Sequence, residues 1–209
     1  SDFNSERRSN VRIYSGALTR EQFMFREMRM VARLYRQGLQ DADIMARVFD
    51  ENLFQYPTER EIKRKCRAAL KRLRCIADSD ALVALLADGT IGEAKQAALV
   101  AMMGQSRLLF EFMTTVIGEK YRQLDMTFTA KDMNLFFARL CEESEDVVHW
   151  SASTVKRIKA VLTNVLRENG YLEKIGSEML CPVLIFDACR RALEEAGMQR
   201  FLVAFYTID

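Results

Sequence analysis

Apolar residues recur every three or four positions along most of this chain, which is the spacing of amphipathic helices. The first apolar stripe predicts a helix that begins at a capping box, Thr19-x-x-Gln22, and ends near Gln37. Residues 1–12 precede this helix, carry three arginines, and are predicted to be a flexible basic arm. The stripe consists of Met24, Met28, Val31 and Tyr35.

Two more helices are predicted before residue 78. One begins at Asp41, and the other begins at a second capping box, Thr58-x-x-Glu61, and runs to about Ile76. The later helix has a narrow apolar stripe, and nearly every other position in it is basic. Residues 13–77 are therefore predicted to form an N-terminal helical module that resembles a helix-turn-helix.

Residues 78–126 are predicted to contain three helices, the second of which begins at the capping box Thr90-x-x-Glu93. Their apolar residues lie on several faces, as expected of helices that are buried all round. This section is therefore predicted to be the central packing hub.

A fourth capping box, Thr129-x-x-Asp132, opens the next part of the chain. From Thr129 onwards the chain has the pattern of helix, turn, helix and hairpin: TAKDMNLFFARLCEE, a polar break, SASTVKRIKAVLTNVLREN, then GYLEKI-GS-EMLCPVLI. Gly176-Ser177 fits a two-residue hairpin turn, and Pro182 is expected on an edge strand. This order is typical of winged helices, whose second helix commonly enters the DNA major groove. Residues 127–209 are thus predicted to be a winged-helix-like module with a small β-hairpin, in a protein that is otherwise mainly α.

Composition agrees with a folded helical protein, since hydrophobic residues are 49% and charged residues 29%, with two prolines and nine glycines. The five cysteines show no CxxC pair, which indicates reduced thiols in a cytoplasmic protein. The polar N-terminus and the short apolar runs predict neither a signal peptide nor a membrane span.

The net charge of +2 is near neutral, so only the distribution of charge can indicate a nucleic-acid partner. Basic residues on the helix from Thr58 suit contact with the phosphates of double-stranded DNA, although such faces are also common on solvated helices. These candidate phosphate contacts are Arg60, Lys63, Arg64, Arg67, Lys71, Arg72 and Arg74.

A second candidate surface lies on the helix from Ser153 to Glu168, where hydroxyl and basic side chains lie opposite the apolar stripe. Such side chains suit phosphate anchoring and hydrogen bonds to base edges. The acidic break from Glu142 to Trp150 counts against DNA contact there, and a winged helix can also serve as a protein-docking fold. The candidate groove contacts are Thr154, Lys156, Arg157, Lys159 and Asn164.

Catalysis is not predicted. His149 is the only histidine, and the chain contains no GxGxxG, GxxxxGK[ST], HExxH or GxSxG motif. We therefore expect no catalytic residue, no metal site and no cofactor.

Two blocks of sequence resemble the BrxA family of the bacterial BREX phage-defence systems. They are YSGALTREQFMFREMRMVARLYRQGLQDADIMARVFDENLFQYPTEREIKRKCRAALKRL and HWSASTVKRIKAVLTNVLRENGYLE. The resemblance implies a mainly helical accessory factor that binds double-stranded DNA and works with other BREX defence proteins. The hypothesis is a non-catalytic DNA-binding protein, and the alternatives are an adaptor that docks other defence subunits or an RNA-binding helical protein.

Overall fold

A computed structural model describes residues 14–208, and the predicted basic arm lies outside them. Over the described residues the protein is mainly helical, which confirms the predicted fold class at that level. No helix among them is long and apolar enough to cross a bilayer. The α-helices are α1 Phe25–Arg36, α2 Asp41–Asp50, α3 Glu59–Arg74, α4 Asp80–Asp88, α5 Ile91–Gln105, α6 Arg107–Phe112, α7 Gly118–Arg122, α8 Ala130–Glu143, α9 Glu145–Val148, α10 Ala152–Glu168 and α11 Asp187–Glu195.

Three of the four predicted capping boxes lie at helix starts. The hydroxyl of Thr58 accepts a hydrogen bond from the backbone N–H of Glu61 at the start of α3. Complete reciprocal boxes open α5, at Thr90, and α8, at Thr129. Each box satisfies backbone donors that have no partner within their own helix, so these helices begin where the local sequence indicates.

The prediction of a capping box at Thr19 is wrong. Thr19 ends a short 3₁₀ turn, Gly16–Thr19, and its hydroxyl donates to the carbonyl of Gly16. Residues 20–24 do not continue as helix, and α1 begins only at Phe25, after Met24 in the left-handed conformation with φ 53°.

A buried arginine explains this late start. The Arg72 side chain reaches from α3 and donates to three consecutive carbonyls, those of Glu21 at 2.6 Å, Gln22 at 2.9 Å and Phe23 at 2.7 Å. A helix through this segment would turn its carbonyl groups along the helix axis, toward its own N–H groups. The charged hydrogen bonds to Arg72 therefore hold residues 21–23 out of helical geometry.

Arginines of α1 hold the C-terminal end of α4. Arg29 donates to the carbonyls of Ala87 and Gly89, and Arg33 also donates to the carbonyl of Ala87. Arg36, one turn further along, pairs with the carboxylate of Asp88. Cations are favourable at this end of a helix because its last carbonyls lack partners within the helix.

Helix α5 lies at the centre of the core. It packs against α1, α3, α4, α6 and α11, and a continuous run from Ala97 to Met103 is buried. Small side chains allow this close approach, since a Cβ on Gly104 would lie 2.9 Å from Cβ of Cys75. The predicted domain boundaries near residues 77 and 126 stay predictions.

The predicted C-terminal hairpin is not confirmed. Residues 171–176 form bends and turns rather than a strand, and one backbone hydrogen bond, from Cys181 N–H to the carbonyl of Tyr171 at 2.8 Å, joins the two predicted strands. Tyr171 turns back at the end of α10, where its N–H donates to the carbonyl of Leu166, and its ring is fully buried. Residues 178–180 pair instead with residues 126–128, through Phe128 N–H to Glu178 O at 2.8 Å and Leu180 N–H to Met126 O at 2.7 Å. Burial of Tyr171 in the core thus replaces the first strand of the hairpin.

The end of the chain is partly helical and partly extended. Gln199–Ala204 form a 3₁₀ helix, and Tyr206 then pairs in parallel with Leu184. On the other side of that segment, the amide of Gln96 donates to the carbonyl of Leu184 and accepts from the N–H of Phe186, both at 2.9 Å.

Replacing Arg72 with methionine should strongly destabilise the protein. The change keeps an apolar stem but leaves three carbonyls without their charged donor, and we expect a loss of about 3 kcal/mol or more in the free energy of unfolding. Urea unfolding followed by circular dichroism measures this. Lys71→Met on the exposed side of the same helix is the control, expected within about 0.5 kcal/mol of the parent. Equal stabilities of the two variants would contradict this role of Arg72.

Candidate nucleic-acid interface

Six cations share one face of α3. An α-helix turns by about 100° per residue, and on that basis the six positions lie within a sector about 100° wide around the axis of α3. Arg60, Arg67, Lys71 and Arg74 are exposed, while Lys63 and Arg64 are half-buried. We call this set, Arg60, Lys63, Arg64, Arg67, Lys71 and Arg74, the α3 basic face.

Half of the α3 basic face is paired with acidic residues. Lys63 lies 4.0 Å from Glu59 and Arg64 lies 3.8 Å from Glu61, both within the helix. Arg74 pairs with Asp41 of α2.

The remaining three cations are available to a ligand. Within residues 14–208, Arg60, Arg67 and Lys71 have no acidic partner at salt-bridge distance. They follow one another at seven- and four-residue spacing, along the middle of the exposed face. This row is therefore the exposed positive charge on α3 that is not paired within the described residues.

Arg72 does not belong to this surface, which corrects the sequence prediction. It lies about 100° round the helix from Lys71, and its side chain is 0% exposed. Burial lowers the pKa of its guanidinium to about 10, so it stays charged at neutral pH. Its charge is used by the backbone of residues 21–23 rather than offered to solvent.

The polar face of α10 also carries free cations. Ser151 caps the helix by accepting from the N–H of Thr154, and Lys156 and Arg157 are exposed in its first two turns. Neither has an acidic partner in the described part of the chain. Asn164, two turns after Arg157, is half-buried on the same side.

Two of the predicted groove residues also make contacts within the protein. Thr154 lies beside the 3₁₀ turn, where a Cβ on Gly16 would be 3.7 Å from its Cγ2. The amine of Lys159 donates to Oδ1 of Asn134 on α8 at 2.7 Å and lies 5.3 Å from the ring centre of Phe137. These side chains mark the two edges of the exposed face of α10.

One cation on this face was missing from the predicted contacts. Arg167 is exposed and lies ten residues after Arg157, which brings it to the same side of the helix. Its nearest acidic neighbour is Glu168, at 3.8 Å. Helical spacing alone could have found it.

The acidic break before α10 is folded rather than open. It contains the one-turn helix α9, whose Val147 is buried, while Glu142, Glu143 and Glu145 are exposed. In the chain these carboxylates precede the N-terminal end of α10 by a few residues, so they remain the feature that counts against phosphate contact at that end.

The residues considered for catalysis lie in unremarkable surroundings. His149 is exposed at the end of α9. Burial raises the pKa of the Cys66 thiol to about 11 and that of Cys189 to about 12, so the reactive thiolate is disfavoured at neutral pH.

Comparisons with known proteins agree with one another. The BrxA family model matches residues 12–197. A protein named "BREX protein BrxA" from Bacillus cereus (strain H3081.97) is 31% identical over 195 residues, covering 91% of this chain and 96% of that protein. Another of that name from Escherichia coli O9:H4 (strain HS) is 24% identical over 190 residues, covering 91% and 88%.

A solved structure is similar as well. It is an uncharacterized protein from Magnetospirillum magneticum, with a TM-score of 0.79 and 21% identity, and the match covers 91% of this chain and 97% of that one. At that identity the likeness shows the fold alone.

Amine labelling should separate the exposed lysines from the buried one. Lys71 and Lys156 are exposed, whereas Lys65 is buried at 8% exposure, and burial lowers its pKa. Because labelling of Lys65 requires local opening, we expect it to react with acetic anhydride at least about tenfold more slowly than the other two. Mass spectrometry of the digested protein gives the rates, and the same reaction in denaturant is the control. A Lys65 rate equal to that of Lys71 in the folded protein would refute this placement.

Proposed function

This chain belongs to the BrxA family, and we propose that it is a non-catalytic, double-stranded DNA-binding accessory protein of a bacterial BREX phage-defence system. The defence role is carried over from relatives named as BREX proteins. The observation that carries DNA binding is the pair of exposed basic faces, on α3 and α10, whose central cations have no acidic partner within residues 14–208.

The α3 basic face suits the phosphate backbone. Arg60, Arg67 and Lys71 project from a helix whose other side is buried, so the backbone that carries them is already ordered before binding. Together with Lys156 and Arg157 they provide five unpaired cations. Neutralising five phosphates corresponds to a slope of about −4 to −5 in a plot of log affinity against log salt concentration.

The polar face of α10 suits a groove. Helices α8, α9 and α10 follow one another in the order of a helix-turn-helix with a longer turn. Residues 126–128, before α8, pair with residues 178–180, after α10. That arrangement supports a winged-helix-like module with a shortened wing. Arg157 and Asn164 are side chains that pair with guanine and adenine edges, and Lys156 and Arg167 suit the flanking phosphates.

A duplex fits these surfaces better than a single strand. Proteins that bind single strands stack bases on exposed aromatic rings. Among the described residues, the aromatic side chains with large exposed fractions are Tyr35 and Phe186, and both lie outside α3 and α10. Double-stranded DNA is therefore preferred over single-stranded RNA or DNA.

Neutralising the two faces should weaken DNA binding and flatten its salt dependence. We expect the triple variant Arg60→Gln, Arg67→Gln, Lys71→Gln to reduce the magnitude of the salt slope by about 3, and Lys156→Gln with Arg157→Gln to reduce it by about 2. Fluorescence anisotropy with a labelled duplex at several salt concentrations measures both, and a double-stranded RNA of the same sequence tests the RNA alternative.

The matched control for these variants is Arg191→Gln, which removes an exposed charge from α11. It should leave affinity and slope unchanged. Absence of binding by the parent protein at low salt, or binding that does not respond to salt, would exclude the proposed function.

A second candidate function, docking of another defence subunit, is favoured by one observation. Ile91, Leu184 and Phe186 are 60%, 49% and 46% exposed, and Leu184 and Phe186 line a common groove with Gly92, next to Ile91. Exposed apolar side chains that lie together are typical of protein contacts.

Substituting this apolar group should separate the two functions. Ile91→Ser with Leu184→Ser should abolish co-purification with BREX subunits expressed together with the protein and leave duplex affinity unchanged. Leu135→Ser, at a side chain that is 59% exposed on α8, is the control. Unaltered co-purification of the double variant would remove this face as a docking site.

A further inference from the structure

Helix α4 is apolar on every side, yet one of its sides lies at the surface of the protein. Its sequence between Asp80 and Asp88 is ALVALLA, which contains no polar side chain. The buried side consists of Leu82, Val83, Leu86 and Ala87, and the outward side consists of Ala81, which is exposed, and Ala84 and Leu85, which are half-buried. Helices that are apolar all round are normally covered by protein all round. The outward side of α4 therefore indicates a contact that residues 14–208 of one chain do not provide.

Helix α11 packs beside this outward side, and the two helices enclose a groove of about 330 Å³. The N-terminal end of α11 is held at the start of α5. There the thiol of Cys189 donates to the carbonyl of Glu93 at 3.6 Å, and the ring of Phe186 lies so close that a Cβ on Gly92 would be 2.6 Å from it. We call the groove the α4–α11 face, and its lining residues are Ala81, Ala84, Leu85, Ala188, Arg191, Ala192 and Glu195.

Charged residues of alternating sign follow one another along α11 at this face. Asp187, Arg191 and Glu195 are exposed, and their four-residue spacing places them within a sector about 80° wide around the helix. None of the three forms an ion pair within residues 14–208. These charges are therefore available to another molecule that approaches the groove.

This row of charges is complementary to a reversed copy of itself. When two α11 helices lie antiparallel with Cys189 at the centre of each, Asp187 of one copy lies opposite Arg191 of the other. A two-fold axis repeats every contact in the opposite sense, so a second, identical pair forms at the same time. A second copy of this chain thus supplies both of the charges that the row requires.

A second register is possible, with Leu193 at the centre and Arg191 opposite Glu195. It would bring the polar, exposed side chains of Gln199 and Arg200 toward the partner. The register centred on Cys189 instead brings the segment before α11 into the contact, where Leu184 and Phe186 expose 49% and 46% of their surface. Burial of apolar surface therefore favours the register centred on Cys189.

We propose that the α4–α11 face is the contact between two copies of this chain, related by a two-fold axis, with their α11 helices antiparallel and Asp187 paired with Arg191 of the second copy. The inference does not rest on DNA binding. Another defence subunit that docks on Leu184 would compete with the second copy, so the two contacts are alternatives in time.

The contact is expected to be weak. Two nine-residue helices and their neighbours form less than the standard interface of about 800 Å² per partner, so we expect a dissociation constant of about 1 to 100 μM. Sedimentation velocity of the parent protein from about 1 μM to about 300 μM should therefore show a monomer that becomes a dimer. Far below that range the chain is a single copy, and its DNA binding can be measured independently of this contact.

Two charge reversals test the reciprocal pairs. Asp187→Arg and Arg191→Asp each place like charges opposite one another at both pairs, and we expect either change to raise the dissociation constant at least about tenfold. Both side chains are exposed, so each variant should stay folded, and circular dichroism verifies this.

An equal mixture of these two variants should restore the contact. The new arginine of one chain then lies opposite the new aspartate of the other, and the two unchanged side chains at these positions also have opposite charge. Native mass spectrometry separates the three dimers by mass. We expect the heterodimer to be the main dimer, with a dissociation constant within about threefold of that of the parent.

The matched control is Glu195→Arg, which reverses a charge on the same helix. In the proposed register it lies opposite the uncharged Val183, so its dissociation constant should stay within about threefold of the parent value. A parent protein that stays monomeric at about 300 μM, or two variants that fail to combine, would overturn the inference. A loss with Glu195→Arg as large as that with Asp187→Arg would overturn the proposed register.

Discussion

The guanidinium of Arg72 is the contact on which the N-terminal half of the structure depends. A buried charge is costly unless it is hydrogen-bonded. Here three successive carbonyls of the non-helical segment before α1 accept from the two terminal nitrogens of Arg72, while its Nε has no partner among the described residues. Those carbonyls in turn have no partners of their own in a helix or sheet. The Arg72 guanidinium and the carbonyls of residues 21–23 each offset the cost of removing the other from water, so neither would be stable in its buried position alone. Together they determine that α1 begins only at Phe25.

Most helix starts could be predicted because their cause is local. A hydroxyl and a carboxylate three residues apart satisfy the same backbone donors wherever they occur, as at Thr90 and Thr129. Thr19 has the same local pattern but a different outcome, because its neighbours bind a side chain that lies about fifty residues further along the chain. The strand predicted at Tyr171 depends on the turn signal at Gly176-Ser177, which is local, whereas the burial of the Tyr171 ring beside Tyr121 depends on a distant part of the chain.

In the candidate site, too, the features with a local cause could be predicted and those that depend on distant residues could not. Helical spacing brings the exposed cations of α3 onto one face, and the structure agrees with that pattern for six of the seven predicted residues. Helical periodicity also places Arg72 away from the face that the other six share. The prediction included it only because it is a basic residue in the same helix. The contacts of Thr154 and Lys159 with other parts of the protein involve the 3₁₀ turn and α8, which no spacing within α10 could reveal.

The side-chain amide of Gln96 has a consequence for the behaviour of the protein in solution. It donates and accepts at the two positions where a neighbouring strand would place a peptide group, while Tyr206 pairs on the opposite side. The extended segment around Leu184 is thereby closed along both of its hydrogen-bonding edges without belonging to a sheet. Although this region exposes apolar side chains, its backbone presents little template for the addition of a strand from another molecule, and such addition is a common route to aggregation.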